Sequence, residues 1–163
     1  MGLMHKDLTK VTIVNSAVEA ALASLDFDFY SRLTGDTLLG PNQAVRLTFY
    51  GSFEENSGGS RSVKFLFRFG SGGSDQDIDI PAGSTWWKAV YDVLLSGHPG
   101  GDLVGQTILV GDKTGSSGDE RVNCSNGLGS MTSASMGFVL NAKLNAAHAS
   151  LGVTLNGYYI ETL

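Results

Sequence analysis

Two runs of alternating apolar residues, joined by a short turn-forming segment, constrain the fold of this chain most. The runs cover residues 45–52 and 63–70, and residues 54–60 between them are rich in Gly, Ser and Asn. Alternation with a period of two places one set of side chains on each face of a β-strand. The apolar set comprises Val45, Leu47, Phe49, Val63, Phe65, Phe67 and Phe69. The pattern predicts an antiparallel hairpin whose aromatic face must be covered by further strands.

Strand-like patterns also occur in the rest of the chain. Residues 75–80 alternate acidic and other side chains, as is typical of an edge strand, and residues 86–96 are rich in aromatic and β-branched residues. Residues 19–30 are predicted as a strand, although residues 16–19 resemble a helix capping box and residues 17–24 could form an amphipathic helix. Asn156-Gly157 indicates either a two-residue hairpin or a bulge in one long strand.

These patterns predict an all-β fold, an antiparallel two-sheet sandwich that is jelly-roll-like and has about eight strands. The 163 residues fit one domain. Residues 1–10 are polar and mixed and are predicted to form an N-terminal arm, and residues 11–163 a single β-sandwich domain.

The charge composition argues against several classes of partner. Charged residues make up 17% of the chain, against about 25% in an average soluble domain, and the net charge is −5. The chain has no Lys/Arg cluster that would bind a phosphate backbone, so no nucleic-acid partner is expected. It has no apolar run of about 20 residues, so no membrane partner is expected. The first ten residues lack the apolar core of a signal peptide. A weakly charged surface favours association with other proteins, although a neutral extracellular β domain would look similar.

The residues that most often carry chemistry are scattered along the chain. His5, His98 and His148 lie far apart and form no zinc motif, and Cys124 is the only cysteine. The alternating acids Asp75, Asp77 and Asp79 could contribute to a calcium site, but in a strand they would share one solvated face. No GxSxG nucleophile motif is present. We therefore predict no catalytic residue, no metal site and no cofactor, and a protein that is not an enzyme.

Trp86 and Trp87 are adjacent, so in a strand they point to opposite faces. One can enter the core while the other lies at the surface. For the exposed ring three roles are open: packing at an edge, a subunit interface, or stacking on a glycan.

Several segments in sequence order resemble a group of tailed-bacteriophage virion proteins. The resemblance covers roughly residues 20–95 and rests on a strand, a turn ending in Gly-Pro-Asn, a strand ending in Gly, an Asn-Ser-Gly loop and a strand ending in Phe-Gly. In this chain these are residues 25–29, 37–42, 45–51, 56–58 and 63–70, followed by a strand that begins at Trp86-Trp87-Lys88-Ala89. The helical character of the N-terminal segment departs from the pattern, and residues 102–128 match no part of it.

The resemblance implies a jelly-roll-like virion component, most consistent in size with a capsid decoration or cement protein. Such a protein would form a homotrimer, bind the major capsid protein on the outer capsid surface of the virion and stabilise the head, after synthesis in the host cytoplasm. Its arm would reach neighbouring subunits. The predicted partner-binding residues are His5, Lys6, Lys10, Trp86 and Trp87. Two alternatives stay open: a receptor- or carbohydrate-binding tip domain of a phage tail fibre, and a small hydrolase with His98 or His148 beside a carboxylate.

Overall fold

The computed structural model describes residues 2–25, 44–55, 58–59, 61–69, 72–81, 83–94, 102–112, 117–128 and 138–163. These residues form eleven strands. They are β1 (Gly2–Asp7), β2 (Val11–Val14), β3 (Ala20–Leu25), β4 (Ala44–Glu55), β5 (Arg61–Phe69), β6 (Gly72–Ile80), β7 (Ser84–Leu94), β8 (Asp102–Asp112), β9 (Ser117–Leu128), β10 (Phe138–Leu144) and β11 (Leu151–Thr162). Within these ranges there is no helix long and apolar enough to cross a bilayer.

The strands form two antiparallel sheets. The seven-stranded sheet has the order β1-β11-β4-β7-β8-β9, with β2 also paired to β11, and the four-stranded sheet has the order β3-β10-β5-β6. When β1 and β2 are counted as one interrupted edge strand and the β8–β9 hairpin is set aside, eight strands remain. We number these eight strands in chain order. Across the larger sheet their spatial order is then 1-8-3-6, and across the smaller sheet it is 2-7-4-5. This is jelly-roll order, so the predicted jelly-roll-like sandwich is confirmed. The strand count exceeds eight because of the split edge strand and the added hairpin.

The predicted hairpin between residues 45 and 70 is wrong. β4 pairs with β11 and β7 in the larger sheet, whereas β5 pairs with β10 and β6 in the smaller one. Their aromatic faces meet across the interior of the sandwich, where the ring centroids of Phe49 and Phe67 are 6.3 Å apart. Alternation indicates which side chains are buried, but it does not distinguish a neighbour in the same sheet from a strand in the facing sheet.

Aromatic side chains fill the space between the sheets. Phe49 has no exposed surface, and its ring lies 5.4 Å from that of Phe138 and 5.9 Å from that of Tyr91. Tyr91 in turn stacks on Phe67 at 4.0 Å. Each such pair contributes about 0.5–1.5 kcal/mol beyond the burial of its area. The two sheets are therefore joined by a continuous aromatic cluster.

The strand prediction for residues 19–30 is confirmed over β3, and the helix alternative for residues 17–24 is wrong. The Ser16 hydroxyl accepts the backbone N–H of Val18 at 3.2 Å, so it closes a local turn and does not cap a helix. β3 then pairs with β10, and pairing with a preceding turn outweighs the weak helix propensity. Residues 26–30 lie outside the described residues, as does the predicted turn at residues 37–42.

The two C-terminal strand segments form one strand, because β11 pairs with β4 along its whole length. The register shifts between Leu155 and Gly157, so the bulge is confirmed and the hairpin at Asn156-Gly157 is wrong. The bulge also marks where the opposite edge changes partner: β2 pairs before it and β1 after it. Residues 2–7 of the predicted arm are thus a paired edge strand, and any reach towards neighbouring subunits stays a prediction.

Candidate interaction surfaces

The larger sheet carries a second, solvent-facing set of side chains, which we call the outer face. It is formed by residues of β4, β7, β8 and β11 that alternate with core residues and so point away from the smaller sheet. Its apolar and aromatic members are Tyr50, Trp86, Val90, Leu109 and Tyr159, and all keep part of their surface exposed.

The register makes this set one continuous patch. Thr48 lies opposite Val90 on one side and Tyr159 on the other, and Lys88 lies opposite both Tyr50 and Leu109. Thr48 retains only 2% exposure although it points outward, because the neighbouring side chains cover it. The outer face is therefore closely packed at its centre.

An ion pair lies on the outer face. Arg46 binds Asp92 with two parallel hydrogen bonds, from Nε at 2.7 Å and from Nη2 at 2.8 Å. Hydrogen bonding to Asp92 raises the pKa of Arg46, so the guanidinium stays protonated. The other charged residues with described side chains on this face of the four strands are Glu54, Lys88 and Glu161.

Trp86 is the aromatic anchor at one end of the outer face. Its indole covers β8 at Gly111, where a Cβ atom would overlap the ring. Glycine is needed here because the ring lies directly against the backbone. Trp86 is partly buried in this way but still reaches the surface.

Trp87 points into the core and is only 1% exposed. Its Nε1–H donates to the Thr154 carbonyl oxygen at 3.1 Å, crossing β4 at Gly51. A Cβ on Gly51 would collide with both the indole and that carbonyl oxygen. The expectation that one of the two adjacent tryptophans enters the core is confirmed, with Trp87 as the buried one.

The other predicted partner-binding residues lie near the N-terminal edge. Lys6 is exposed and opposite Tyr159, so it borders the outer face. Lys10 is exposed between β1 and β2. The His5 ring stacks on Tyr158 with centroids 5.7 Å apart. Lys6 and Trp86 therefore share one side of the sheet, whereas Trp87 lies in the core and has almost no accessible surface for a partner.

A groove that the sequence did not indicate lies at the open side of the sandwich, between β3 and the β1–β2 connection. We call it the edge groove. It has a volume of about 260 Å³ and is lined by Asp7, Thr9, Val11, Ala21, Leu22, Ala23, Ser24, Leu155 and Tyr158. These residues come from three distant parts of the chain, so no local motif could have revealed it.

One carboxylate and one phenol dominate the polar chemistry of the edge groove. Asp7 Oδ1 accepts the backbone N–H of Thr9 at 2.8 Å, and hydrogen bonds from Thr9 lower the pKa of Asp7. Burial, with the Asp7 charge nearby, raises the pKa of Tyr158 to about 12. At neutral pH the groove thus presents an ionised carboxylate beside a phenol that stays protonated and can only act as a weak acid or a hydrogen-bonding group.

The acids of β6 lie at the far edge of the smaller sheet, as predicted for an edge strand. Asp75, Asp77 and Asp79 are all exposed. Asp75 forms ion pairs with Arg68 and, at 3.5 Å, with Lys64, and the hydrogen bond from Arg68 lowers the pKa of Asp75. Among the residues whose placement is described, no group of three or more His, Cys, Asp or Glu could hold a metal ion.

The histidines weighed for a hydrolase do not form a described catalytic arrangement. His148 Nδ1 accepts the backbone N–H of Ser150 at 3.1 Å in the turn before β11. His98 lies outside the described residues. The hydrolase alternative therefore gains no supporting geometry.

The chain matches no protein-family model and no curated protein sequence. Among solved structures it is similar to the crystal structure of a protein of unknown function from Shewanella oneidensis MR-1, with a TM-score of 0.39 and 8% sequence identity. The match covers 99% of this chain and 74% of that chain. At this level of similarity, nothing about the function of that protein transfers to this chain.

Proposed function

We propose that this chain is a non-enzymatic structural protein of a virion, a capsid decoration or cement protein that acts by adhesion. In this proposal it forms a homotrimer, binds the major capsid protein on the outer surface of a phage head and stabilises the shell. The observation that carries the proposal is the outer face, which offers an aromatic contact surface with the Arg46–Asp92 ion pair within it. The virion assignment itself rests on the sequence resemblance.

The composition of the outer face is that of a protein–protein interface. Tyr and Trp are enriched where proteins bind each other, and Tyr50, Trp86 and Tyr159 supply three such rings. The Arg46–Asp92 pair already satisfies its own charges, so a partner could cover it without leaving either ion unpaired. We therefore assign the self-association of the trimer to this face.

The assignment is tested by placing a charge at the centre of the outer face. In Val90→Arg a cation replaces a partly buried apolar side chain of β7. The matched control is Val139→Arg, the same change at a partly buried position of β10 on the outside of the smaller sheet. Size-exclusion chromatography with light scattering is expected to give a trimer for the unmodified chain and for Val139→Arg, and a monomer for Val90→Arg. Circular dichroism and a melting curve check that both variants fold.

A monomeric unmodified chain, or equal behaviour of the two variants, would contradict the trimer and its interface. The virion assignment has its own test, namely mass spectrometry of particles purified from the host that makes this protein. The chain is expected in intact particles in a fixed ratio to the major capsid protein. Absence of the chain from purified particles would contradict the decoration role, even if the chain forms a trimer.

The alternative is a receptor- or carbohydrate-binding tip of a tail fibre, and the partial exposure of Trp86 favours it as a sugar-stacking platform. A glycan array with Trp86→Ala as the control distinguishes the two. Glycan binding that is lost in Trp86→Ala would favour the fibre tip, and no binding would favour the decoration protein.

A further inference from the structure

The two edges of the four-stranded sheet differ in how far they discourage pairing with another chain. β6 carries Asp75, Asp77 and Asp79 on its exposed positions. β3, at the opposite edge, has the sequence AALASL and no charged residue. Natural edge strands commonly use charge, proline, a bulge or coverage to prevent strand addition. β3 has no charge or proline within its bounds, and its one device of this kind is a register shift at Leu22, between Ala21 and Ala23.

Within the described part of the chain, the side of β3 that faces away from β10 has no strand partner. Ala20, Ala21 and Ser24 are exposed, and among the described strands β3 pairs only with β10. A strand with one unpaired side presents backbone N–H and C=O groups in register for a further strand. Its small side chains leave room for an incoming backbone.

The edge groove runs along the same strand, because residues 21–24 line it. Its volume of about 260 Å³ is below the range of about 300–1,000 Å³ that is typical of small-molecule sites. It is wide enough for one or two side chains of an extended peptide. Strand-addition sites combine backbone pairing, which gives affinity, with a pocket for a side chain. Here the edge of β3 offers the backbone pairing and the edge groove offers the pocket.

The charge of the edge groove indicates which kind of peptide side chain it would bind. Asp7 is the only charged residue among those that line it, and its carboxylate is ionised at neutral pH. A cationic side chain therefore fits the groove better than an acidic or apolar one.

We propose that the edge groove binds an extended segment of another protein, which pairs as a strand with β3 and places a Lys or Arg side chain against Asp7. This site is separate from the outer face and does not depend on the decoration role. The two surfaces face different directions from the sandwich, so the chain could associate with itself and with such a segment at the same time.

The experiment uses the full chain, labelled with ¹⁵N, and two capped synthetic peptides of sequence TVTKTVT and TVTETVT. The lysine peptide is expected to shift the amide signals of β3 and of Asp7 and Thr9, and to slow hydrogen exchange in β3. The glutamate peptide is expected to bind about tenfold more weakly, because it replaces attraction by repulsion at one carboxylate. Absence of β3 shifts at millimolar lysine peptide, or equal binding of both peptides, would overturn the proposal.

Three variants locate the binding. Asp7→Asn keeps an oxygen that can accept the Thr9 N–H but removes the charge, and is expected to weaken lysine-peptide binding about fivefold to tenfold. Ala21→Arg fills the groove from an exposed position and is expected to abolish binding. Asp77→Asn, the matched loss of charge at the opposite edge, is expected to change nothing. An equal effect of Asp77→Asn and Asp7→Asn would show nonspecific charge attraction and overturn the site.

Two other occupants give recognisable results that would also overturn the proposal. Pairing of β3 with β3 of a second copy would appear as association of the unmodified chain that Ala21→Arg abolishes without any peptide. Binding of a free amine would appear as shifts at Asp7 with lysine alone, and no protection of β3 from hydrogen exchange.

Discussion

The two faces of the seven-stranded sheet come from the same strands and differ in what their side chains do. On the inner face of β7, Trp87, Ala89 and Tyr91 have at most 1% of their surface exposed. On the outer face of the same strand, Trp86 and Val90 stay partly exposed. The inner residues are enclosed by the fold, whereas the outer ones keep surface that a partner can contact. The difference teaches that aromatic content alone does not distinguish a core from an interface.

The largest expected difference between the faces concerns the two tryptophans. Trp87→Ala is expected to lower the free energy of unfolding by about 3–5 kcal/mol, because it leaves a cavity and removes the donor to the Thr154 carbonyl. Trp86→Ala, the matched change one residue earlier, is expected to cost about 1 kcal/mol or less. Urea unfolding followed by circular dichroism measures both values. Equal costs would break the distinction between the faces.

The next largest effect concerns the close contact between the Trp86 ring and Gly111 on the outer face. Gly111→Ala is expected to cost about 1–3 kcal/mol, because the new Cβ overlaps the Trp86 indole. Trp86 fluorescence should shift to longer wavelength as the ring is displaced. Gly152→Ala is the control on the same face, since its Cβ would meet its nearest atom at 3.4 Å. The double variant Trp86→Ala/Gly111→Ala should lose most of the Gly111→Ala penalty, and failure to do so would locate the clash elsewhere.

A buried polar pair on the inner face offers a substitution that is expected to increase stability, whereas the previous ones decrease it. Gln106 lies opposite Tyr91 in the register, and its amide atoms and the Tyr91 hydroxyl are buried without a hydrogen-bond partner in the described part of the chain. Burial raises the pKa of Tyr91, so its hydroxyl stays neutral. Gln106→Met is expected to raise the free energy of unfolding by about 1 kcal/mol, because it removes an unsatisfied buried amide.

Thermal and urea unfolding of Gln106→Met measure that gain. The control is Gln76→Met on β6, where the amide is partly exposed and donates to the Asp77 carbonyl oxygen at 3.2 Å. It is expected to change stability by about 0.5 kcal/mol or less. A loss of stability in Gln106→Met would show that the amide is satisfied in solution.

The smallest effect concerns the ion pair of the outer face. In the monomeric Val90→Arg variant, a double-mutant cycle with Arg46→Met and Asp92→Asn is expected to give a coupling of about 0.2–1 kcal/mol, because both side chains are more than a third exposed in the single chain. The coupling should fall as salt is raised. A coupling that does not respond to salt would mean that the pair is shielded, as it would be within a stable oligomer.

The sequence pattern predicted the buried faces well, because burial follows locally from period-two alternation. Val45, Leu47 and Phe49 all have no exposed surface, as their alternation indicates. Sheet membership could not be read in this way, because the partner of each strand is distant in sequence. The assignment of β4 and β5 to one hairpin failed for this reason.

For the candidate surfaces too, features that depend on residues distant in sequence could not be predicted. The sequence predicted that Trp86 and Trp87 point to opposite sides, but it could not say which side is the core. That choice depends on Gly51 and Gly111, which admit the two rings, and on the Thr154 carbonyl that one ring reaches. The edge groove joins residues 7–11, 21–24 and 155–158, so only the folded arrangement brings it into view.

The position of β11 determines when this protein can fold as it is made. This strand lies between β4 and both β1 and β2, so β1 and β2 lack the strand that they pair with in the described structure until residues 151–162 have been synthesised. The larger sheet cannot be completed before β11 has been synthesised. Until then its aromatic residues are only partly buried. A nascent chain stalled before residue 151 should therefore be captured by chaperones and cut readily by proteases, and a chain stalled with residues 151–162 outside the ribosome should resist both.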